Sequence, residues 1–390
     1  MTLTPEFSTP DGKVAIYKGN CRDVLAALPE NSIDCVVCDP PYGMRTDGTS
    51  KNTDELEAEF AAGMTTKAEV GFRGAEWDSA VPGPSVWRQV LRSMKPGAAL
   101  IAASSTRTYH TLGQAIQTAG FMVRDMLCWT YIQGAPKGMD VSKAFDRRAG
   151  VEEQRGYIPV QGGIGKGSKR AVIQFKGKHE GMYLNPENPI SEEAKRWHGW
   201  NTGLKPALEP ACYARKPFDG SLLDNLVANG VGAINVRDCA VQREEIGSQD
   251  TGLMFDVGVE AKAPETYWPS NLAMSPEARE WMETLERDPW TRMFYCPKPN
   301  ESEYGAGIAE EGEGEAVGHP TIKPLALMEY WIRLVVPPGA IVCDPFAGSG
   351  TTAIAAMRVG RKCILIEREE KYIEVEKRRI LDYLAQPALF

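Results

Sequence analysis

A short apolar run that ends in two consecutive prolines constrains this chain more than any other stretch. Residues 33–38 (IDCVVC) are followed directly by Asp39, Pro40, Pro41 and Tyr42. An apolar, β-branched run of this length predicts a buried strand, and paired prolines neither continue a ladder nor begin a regular helical turn. The four residues are therefore predicted to follow the carboxyl end of a strand, where open α/β sheets place their ligand sites.

The four residues after this strand offer groups that suit a planar heterocycle with an exocyclic amine. The Asp39 carboxylate and the Pro40 carbonyl are hydrogen-bond acceptors only, and the Tyr42 ring offers a face for stacking. Taken alone, the tetrad is equally consistent with an ordinary turn that leaves a strand.

A second strand-and-turn motif lies far along the chain. Residues 340–352 (AIVCDPFAGSGTT) predict an apolar strand, a glycine-rich turn and the start of a helix, and Glu367 ends the next predicted strand. A carboxylate about 20 residues beyond such glycines suits the ribose hydroxyls of a nucleoside-containing ligand. The GxGxxG pattern of dinucleotide sites is absent, and Thr351 stands where a phosphate-binding loop needs lysine.

The two motifs, in this order, resemble the amino-methylating DNA methyltransferases that use S-adenosylmethionine. The resemblance is to the β-class branch, in which DPPY precedes DPFxGSGTT, and to adenine-specific DNA methylases of phages and mobile elements. It implies an α/β fold with a Rossmann-like sheet and an inserted target-recognition region. It also implies direct in-line methyl transfer to the N6 amine of an adenine that is flipped out of double-stranded DNA.

The resemblance assigns roles residue by residue. Catalysis falls to Asp39, Pro40, Pro41 and Tyr42, with no metal. Asn20 and Cys21 match positions that hold the cofactor adenine, although many relatives carry Asp at the first of them, and Thr321 and Lys323 match a motif that holds the methionine carboxylate. The full set of implied cofactor residues is Asn20, Cys21, Thr321, Lys323, Asp344, Phe346, Ala347, Gly348, Ser349, Gly350, Thr351, Thr352 and Glu367.

The chain is predicted to have three parts. Residues 1–133 form the catalytic half of the methyltransferase domain, residues 134–290 the inserted target-recognition region, and residues 291–390 the cofactor-binding half. The polar stretch 43–80 has little periodicity and predicts a mobile loop that closes over substrate. Residues 121–131 predict a pair of strands at the sheet edge.

Charge is unevenly distributed along the sequence. The whole chain carries a net charge of −8, yet residues 137–216 hold 15 Lys and Arg against 9 Asp and Glu. A local basic region, rather than the total charge, decides contact with a phosphate backbone. The candidate DNA-binding residues in and beside a glycine-rich basic run are Lys166, Lys169, Arg170, Lys205, Arg215 and Lys216.

The nine cysteines predict reduced core residues of a cytoplasmic protein rather than a disulfide framework, since several lie inside apolar strand runs. Cys35 and Cys38 face opposite sides of a strand, which argues against a shared zinc ion. The resemblance points to a bacterial host cell, with a homodimer and a cognate restriction endonuclease as implied partners.

Three alternatives remain open at this stage. SPPY is more usual in cytosine-N4 relatives than DPPY, but the distinction is imperfect, so a cytosine-N4 enzyme is the alternative activity. A catalytically silent nucleic-acid-binding homologue is a second alternative. Methylation of RNA or of a protein glutamine is a third, and an Asn-Pro-Pro-Tyr form is typical there.

Overall fold

The computed structural model describes residues 3–43, 50–61, 78–131, 138–159, 182–242, 266–267, 269–274, 294–295 and 322–385. In chain order its strands are β1 (Phe7–Ser8), β2 (Val14–Lys18), β3 (Ile33–Cys38), β4 (Met94–Ala103), β5 (Met122–Thr130), β6 (Tyr157–Pro159), β7 (Met182–Leu184), β8 (Leu208–Arg215), β9 (Val241–Gln242), β10 (Thr266–Tyr267), β11 (Leu272–Met274), β12 (Phe294–Tyr295), β13 (Ile341–Asp344) and β14 (Lys362–Glu367). Its α-helices are α1 (Cys21–Ala27), α2 (Thr53–Ala61), α3 (Pro84–Ser93), α4 (Tyr109–Thr118), α5 (Val141–Arg148), α6 (Glu192–Arg196), α7 (Leu222–Asn229), α8 (Leu325–Val335), α9 (Thr351–Arg358) and α10 (Glu370–Ala385). None of these helices is both long and apolar enough to cross a membrane.

A mixed ten-stranded sheet organises the larger part of the chain. Its strand order is β1-β2-β14-β13-β3-β4-β8-β5-β11-β12. Strands β2, β14, β13, β3 and β4 are parallel neighbours, whereas β8 runs antiparallel to both β4 and β5. The fold class is therefore α/β, as the sequence predicts.

Strand β3 is buried along its whole length because helices cover both faces of the sheet. Cys35 and Val37 belong to a core cluster that includes residues of α8, α9 and α10. Val36 and Cys38 belong to a second cluster, with residues of α1, α3 and α4. Alternate residues of the apolar run therefore face opposite layers, which confirms that the two cysteines point to opposite sides.

One prediction about the middle of the sheet was wrong. Met122–Thr130 is a single strand, β5, and it lies between β8 and β11 rather than at an edge. Its partner β8 comes from a stretch in which Pro210 weakens the strand signal, because proline cannot donate to a ladder. Ser104 nevertheless donates its backbone N–H to the Pro210 carbonyl at 2.8 Å.

The stretch predicted as a mobile loop, 43–80, contains a helix in its described part. Helix α2 begins at Thr53, directly after a reciprocal cap: the Asn52 amide oxygen accepts from the Glu55 backbone N–H at 3.1 Å, and the Glu55 carboxylate accepts from the Asn52 N–H at 2.8 Å. This Asn-x-x-Glu pattern is a helix-start signal that periodicity alone misses. Residues 44–49 and 62–77 lie outside the described residues, so closure of the loop remains a prediction.

The chain forms two compact units, Met1–Ile132 with Leu208–Phe390, and Gln133–Ala207. The second unit is organised around a buried ion pair, in which Arg155 Nε lies 2.6 Å from Asp146 Oδ2. Burial acts to raise the pKa of Asp146, but hydrogen bonds from Ser191 and Ile190 and the Arg155 guanidinium outweigh burial and lower the pKa to about 2. The predicted insert of 134–290 extends past the end of this unit, because β8 belongs to the main sheet.

Candidate active site

The Asp39 carboxylate lies just beyond the end of β3, and its two oxygens have different surroundings. Oδ2 lies 2.7 Å from Lys323 Nζ in a salt bridge. Oδ1 is buried and has no hydrogen-bond partner among the described residues. Native structures rarely leave a buried acceptor without a donor, so Oδ1 marks a position where a donor from a bound molecule would fit. Pro40 is buried and Pro41 partly buried beside it.

The Lys323 ammonium connects the tetrad to a second carboxylate. Lys323 Nζ lies 3.3 Å from Glu209 Oε2 and 4.9 Å from the centre of the Tyr42 ring, and its side chain is 5% exposed. Burial acts to lower the pKa of Lys323, but the carboxylates of Asp39 and Glu209 outweigh it and raise the pKa to about 12. The ammonium is therefore charged throughout the physiological range.

Glu209 is a member of this cluster that sequence reasoning missed. It lies on β8, and its carboxylate accepts from the Tyr42 hydroxyl and the Tyr131 hydroxyl, each at 3.3 Å. Burial, followed by the nearby carboxylates of Asp39 and Glu209, raises the pKa of the Tyr42 phenol well above its ordinary value. Tyr42 is therefore a neutral hydrogen-bond donor with an aromatic face.

The backbone that follows the tetrad is fixed by Asp78. Its Oδ1 accepts from the Tyr42 N–H at 2.7 Å and from the Gly43 N–H at 3.0 Å. Gly43 has φ +61°, and a Cβ at this position would lie 2.8 Å from the Val81 nitrogen. The turn therefore requires glycine both for its conformation and for its close approach to the neighbouring backbone.

The glycine-rich turn leaves the carboxyl end of β13 and leads into α9. Asp344 Oδ1 accepts from the Phe346 N–H at 3.0 Å, and Oδ2 accepts from the Thr352 hydroxyl. Burial raises the pKa of Asp344 to about 7, against the opposing effect of these two hydrogen bonds. Gly348 and Gly350 have φ values of +56° and +74°, which the turn accommodates because neither has a Cβ.

Glu367 closes the turn from the end of β14. Its Oε2 accepts from the Gly348 N–H at 2.9 Å, and Oε1 accepts from the backbone N–H groups of the next two residues. Burial raises its pKa. The Gly19 N–H donates to the Glu367 backbone carbonyl at 2.9 Å, so the adjoining Asn20 and Cys21 follow β2 at the end of β14 that carries Glu367. The Asn20 side chain caps α1 by accepting from the Arg22 N–H.

The turn is supported from behind by α10. A Cβ at Gly350 would lie 3.1 Å from Glu376 Cγ, and Arg379 donates to the Ser349 carbonyl at 2.6 Å. The Glu376 carboxyl is buried without a hydrogen-bond partner among the described residues, and burial raises its pKa well above the ordinary value. The absence of a Cβ at Gly350 thus lets α10 pack against the turn.

The two strand ends lie at the same edge of the sheet. Strands β3 and β13 are parallel neighbours, with Cys35 paired to Val342 and Val36 to Cys343. Asp39 and Asp344 therefore follow adjacent strands in the same direction. Of the other residues of the turn, Ala347, Ser349, Thr351 and Thr352 are buried, and the Phe346 ring packs against Trp87 with centroids 6.0 Å apart.

Three of the six predicted DNA-binding residues, Lys205, Arg215 and Lys216, lie among the described residues. Arg215 ends β8, and its partner Ala99 pairs in turn with Cys35 of β3, four residues before Asp39. Lys216 Nζ donates to the Asn31 side chain and the Met94 carbonyl, and burial lowers its pKa. Lys205 is exposed in the second unit. Lys166, Lys169 and Arg170 lie outside the described residues, as does Thr321 of the predicted cofactor set.

The groups at the glycine turn fit a ligand that is rich in hydroxyl and amino donors and has no phosphate. Asp344 and Glu367 supply carboxylate oxygens, the turn has no lysine, and each carboxylate oxygen can accept more than one hydrogen bond. This donor and acceptor set fits S-adenosylmethionine. In the described part of the chain, no group of three or more His, Cys, Asp or Glu side chains is arranged to hold a metal ion.

Comparison with known protein families gives two matches. Residues 235–378 match a family described as DNA methylase. Residues 7–75 match a family described as RMKL-like, methyltransferase domain. The first match contains the glycine turn and Lys323, and the second contains the Asp-Pro-Pro-Tyr tetrad. S-adenosylmethionine is the cofactor of this class of methyltransferase.

Individual relatives agree with these families. The chain is 21% identical over 383 residues to the type II methyltransferase M.HindIII of Haemophilus influenzae, covering 94% of each protein. It is 38% identical over 73 residues to the type II methyltransferase M2.LlaDCHI of Lactococcus lactis subsp. cremoris, covering 19% of this chain and 27% of that protein.

Solved structures with similarity to the chain include two methyltransferases. The cytosine-N4-specific PvuII DNA methyltransferase has a TM-score of 0.46 and 14% identity, covering 99% of this chain and 90% of that one. The M1.HpyAVI–SAM complex has a TM-score of 0.41 and 16% identity, covering 94% of this chain and 98% of that one.

Proposed function

We propose that this chain, a DNA methyltransferase whose residues 235–378 match the DNA methylase family, transfers a methyl group from S-adenosylmethionine to the N6 amine of adenine in double-stranded DNA. The proposal specifies the β-class arrangement, with the tetrad before the cofactor motif. The target-recognition role proposed for residues 134–290 includes the exposed Lys205. A homodimer and a partner endonuclease remain predictions.

One observation carries the choice of an amine as the methyl acceptor: Asp39 Oδ1 is buried without a hydrogen-bond partner among the described residues. The choice of adenine N6 over cytosine N4 rests on the Asp-Pro-Pro-Tyr form of the tetrad. An exocyclic amine is a donor that fits this acceptor, and Tyr42 lies beside it with a ring face for the base. A duplex hides the amine, so the target nucleotide must leave the helix to reach Asp39.

Methyl transfer requires the protein chiefly to position the target amine against the methyl group and to supply negative charge. The bound cofactor supplies an activated methyl group on a sulfonium. The Asp39 oxygen would accept from the target amine, hold its lone pair in line with that methyl group, and stabilise the positive charge that develops on nitrogen while the carbon–sulfur bond breaks. The same oxygen is placed to take up the proton that the methylated nitrogen then releases. The Tyr42 ring fixes the plane of the base, while its hydroxyl stays bonded to Glu209.

We assign the cofactor to the edge formed by β2, β13 and β14. Glu367 would accept from the ribose hydroxyls, and Asn20 and Cys21, which follow the neighbouring strand β2, would flank the adenine. The glycine turn of residues 344–352 would cover the methionine portion. Lys323 has three N–H donors, of which two face Asp39 and Glu209, so the third would meet the cofactor carboxylate together with Thr321.

The proposal is tested by incubating the protein with duplex DNA and methyl-labelled S-adenosylmethionine, followed by digestion to nucleosides. We expect label in N6-methyladenine. Label only in N4-methylcytosine would replace the proposal with the cytosine-N4 alternative. Cofactor binding without transfer to any DNA of varied sequence would favour a silent homologue, and transfer to RNA or to a protein glutamine would favour the third alternative.

A further inference from the structure

Glu209 enters the candidate site from a strand that carries neither sequence motif. It lies on β8, the antiparallel strand between β4 and β5. Its carboxylate faces Lys323 Nζ, the Tyr42 hydroxyl and the Tyr131 hydroxyl, each at 3.3 Å, and its side chain is 26% exposed. A carboxylate with three side-chain contacts of this kind, close to the Asp39 oxygen that is proposed to accept from the target amine, is placed to influence methyl transfer.

The charge of the cluster suggests that role. Asp39 and Lys323 alone, with 2.7 Å between their charged atoms, would leave the centre neutral. Glu209 adds a second carboxylate and gives the three groups a net charge of −1. The side chains of Asp39 and Lys323 are only 19% and 5% exposed, so this charge is weakly screened by solvent. A net negative centre favours a cationic ligand and a transition state in which nitrogen becomes positive.

We propose that Glu209 is a positioning residue for methyl transfer, which shares the Lys323 ammonium with Asp39 and restores the negative charge that the lysine would otherwise cancel. The inference rests on the proposed function. It assigns Glu209 two tasks: it keeps the lysine and Tyr42 in place, and it makes the site distinguish a sulfonium from a neutral sulfur.

A purely structural role for Glu209 makes a different prediction. An amide oxygen could accept from Tyr42 and Tyr131 as well as a carboxylate oxygen does, so Glu209→Gln would preserve a role limited to packing and hydrogen bonding. The same substitution removes the charge. Glu209→Gln therefore separates the two roles, and Glu209→Asp, which keeps the charge on a shorter side chain, tests for rescue.

The direct test measures binding of S-adenosylmethionine and of its neutral product, S-adenosylhomocysteine, by calorimetry. We expect Glu209→Gln to weaken binding of the sulfonium form roughly tenfold, which is the effect of removing a unit charge roughly 12 Å away at an effective dielectric constant of about 20, and binding of the neutral form less than about twofold. We expect Glu209→Asp to restore most of the difference. Equal losses for the two ligands, or no loss for either, would overturn the inference.

Glu329→Gln is the matched control. Glu329 is on α8, its side chain is 15% exposed, and it forms ion pairs with Arg333 and Arg358. The substitution removes one shielded negative charge from the same unit, outside the candidate site. We expect the ratio of the two affinities to stay at the wild-type value, and a ratio that falls as in Glu209→Gln would show a general charge effect and contradict the inference.

Methyl transfer separates failure of this inference from failure of the proposed function. If wild-type protein methylates DNA, we expect Glu209→Gln to lower kcat by roughly tenfold to a hundredfold with little change in the KM for DNA. Wild-type activity in this variant would overturn the role of Glu209 alone. No transfer by the wild-type protein would overturn the proposed function. If Glu209→Gln does not fold, Glu209→Asn replaces it beside Glu209→Asp, which has a side chain of the same length: we expect the ratio to fall in the uncharged variant alone, and equal ratios in the two would overturn the inference.

Discussion

The carboxylates at the two strand ends of the candidate site have their bonding partners at different distances along the chain. At the end of β13, Asp344 bonds to groups two and eight residues away, and Glu367 bonds to Gly348, 19 residues away. Just beyond β3, Asp39 meets Lys323 across 284 residues of chain, and Tyr42 meets Glu209 across 167. The glycine turn is therefore a local structure, whereas the charged cluster exists only once the whole sheet has assembled.

Substitutions in the local turn and in the long-range cluster should therefore have different effects. Changes in the glycine turn should act locally, on the turn and on cofactor binding. Changes in the charged cluster should propagate to several strands, because its members come from β3, β8 and the segment before α8. The following variants test that distinction, from the largest expected effect to the smallest.

Lys323→Met should have the largest effect on stability. It leaves Asp39 and Glu209 facing each other without their shared cation, and breaking a buried ion pair by removing one partner costs roughly 3–5 kcal/mol. Denaturant unfolding with a two-state fit measures the loss. The double variant Lys323→Met/Glu209→Gln should recover part of the stability, since one uncompensated charge is removed. Strictly additive losses would contradict a shared cluster.

Asp344→Asn should change how stability depends on pH. Burial raises the pKa of Asp344 from 3.8 to about 7, so its contribution to stability is fully present below pH 3.8 and is lost as pH rises through 7. A shift of this size corresponds to roughly 4 kcal/mol. Relative to wild type, Asp344→Asn should therefore gain stability between pH 4 and pH 8. Unfolding curves that differ by a constant amount across this range would contradict the prediction.

Gly350→Ala and Gly360→Ala form a matched pair within the local structure. The two glycines have nearly the same φ, +74° and +72°, but only a Cβ at Gly350 meets a neighbour, Glu376 Cγ at 3.1 Å. Backbone strain should cost each variant about 1–2 kcal/mol, and Gly350→Ala should lose more and bind S-adenosylmethionine less tightly. Equal decreases in melting temperature for the two variants would show that α10 moves to accommodate the added Cβ without loss of stability.

Asp78 supports the tetrad through backbone groups and should show the smallest effect. Asp78→Asn keeps an oxygen that accepts from the Tyr42 and Gly43 N–H groups, so its activity should stay close to wild type. Asp78→Ala leaves both donors without this acceptor, and a loss of about 1–2 kcal/mol corresponds to a decrease in transfer of roughly 5- to 30-fold. Equal activities of the two variants in the methyl-transfer assay would exclude this role.

The local and long-range parts of the site also differ in how far sequence predicts them. The apolar runs of β3, β13 and β14 gave the α/β class and placed Asp39, Asp344 and Glu367 at strand ends. Each of these depends on neighbouring residues, so a pattern of a few positions is enough to predict it.

The long-range partners could not be predicted in the same way. Glu209 lies in a stretch interrupted by Pro210, which weakens the strand pattern, and nothing near it indicates that β8 enters between β4 and β5. Lys323 was predicted for the cofactor carboxylate, but its contacts with Asp39 and Glu209 depend on the order of strands in the sheet. Asp78 follows a polar stretch without periodicity, so only the folded turn shows its two backbone contacts.

The most direct test of the account is single-turnover methyl transfer by Asp39→Asn at saturating S-adenosylmethionine. The substitution keeps the size of the side chain and an acceptor oxygen, but it removes the negative charge that is proposed to stabilise the positive charge developing on the target nitrogen. The account predicts N6-methyladenine formation by wild type, a decrease of at least about a hundredfold in the variant, and affinity for neutral S-adenosylhomocysteine within about threefold of wild type. Wild-type transfer by Asp39→Asn, with the folded protein confirmed by its unfolding transition, would contradict the account.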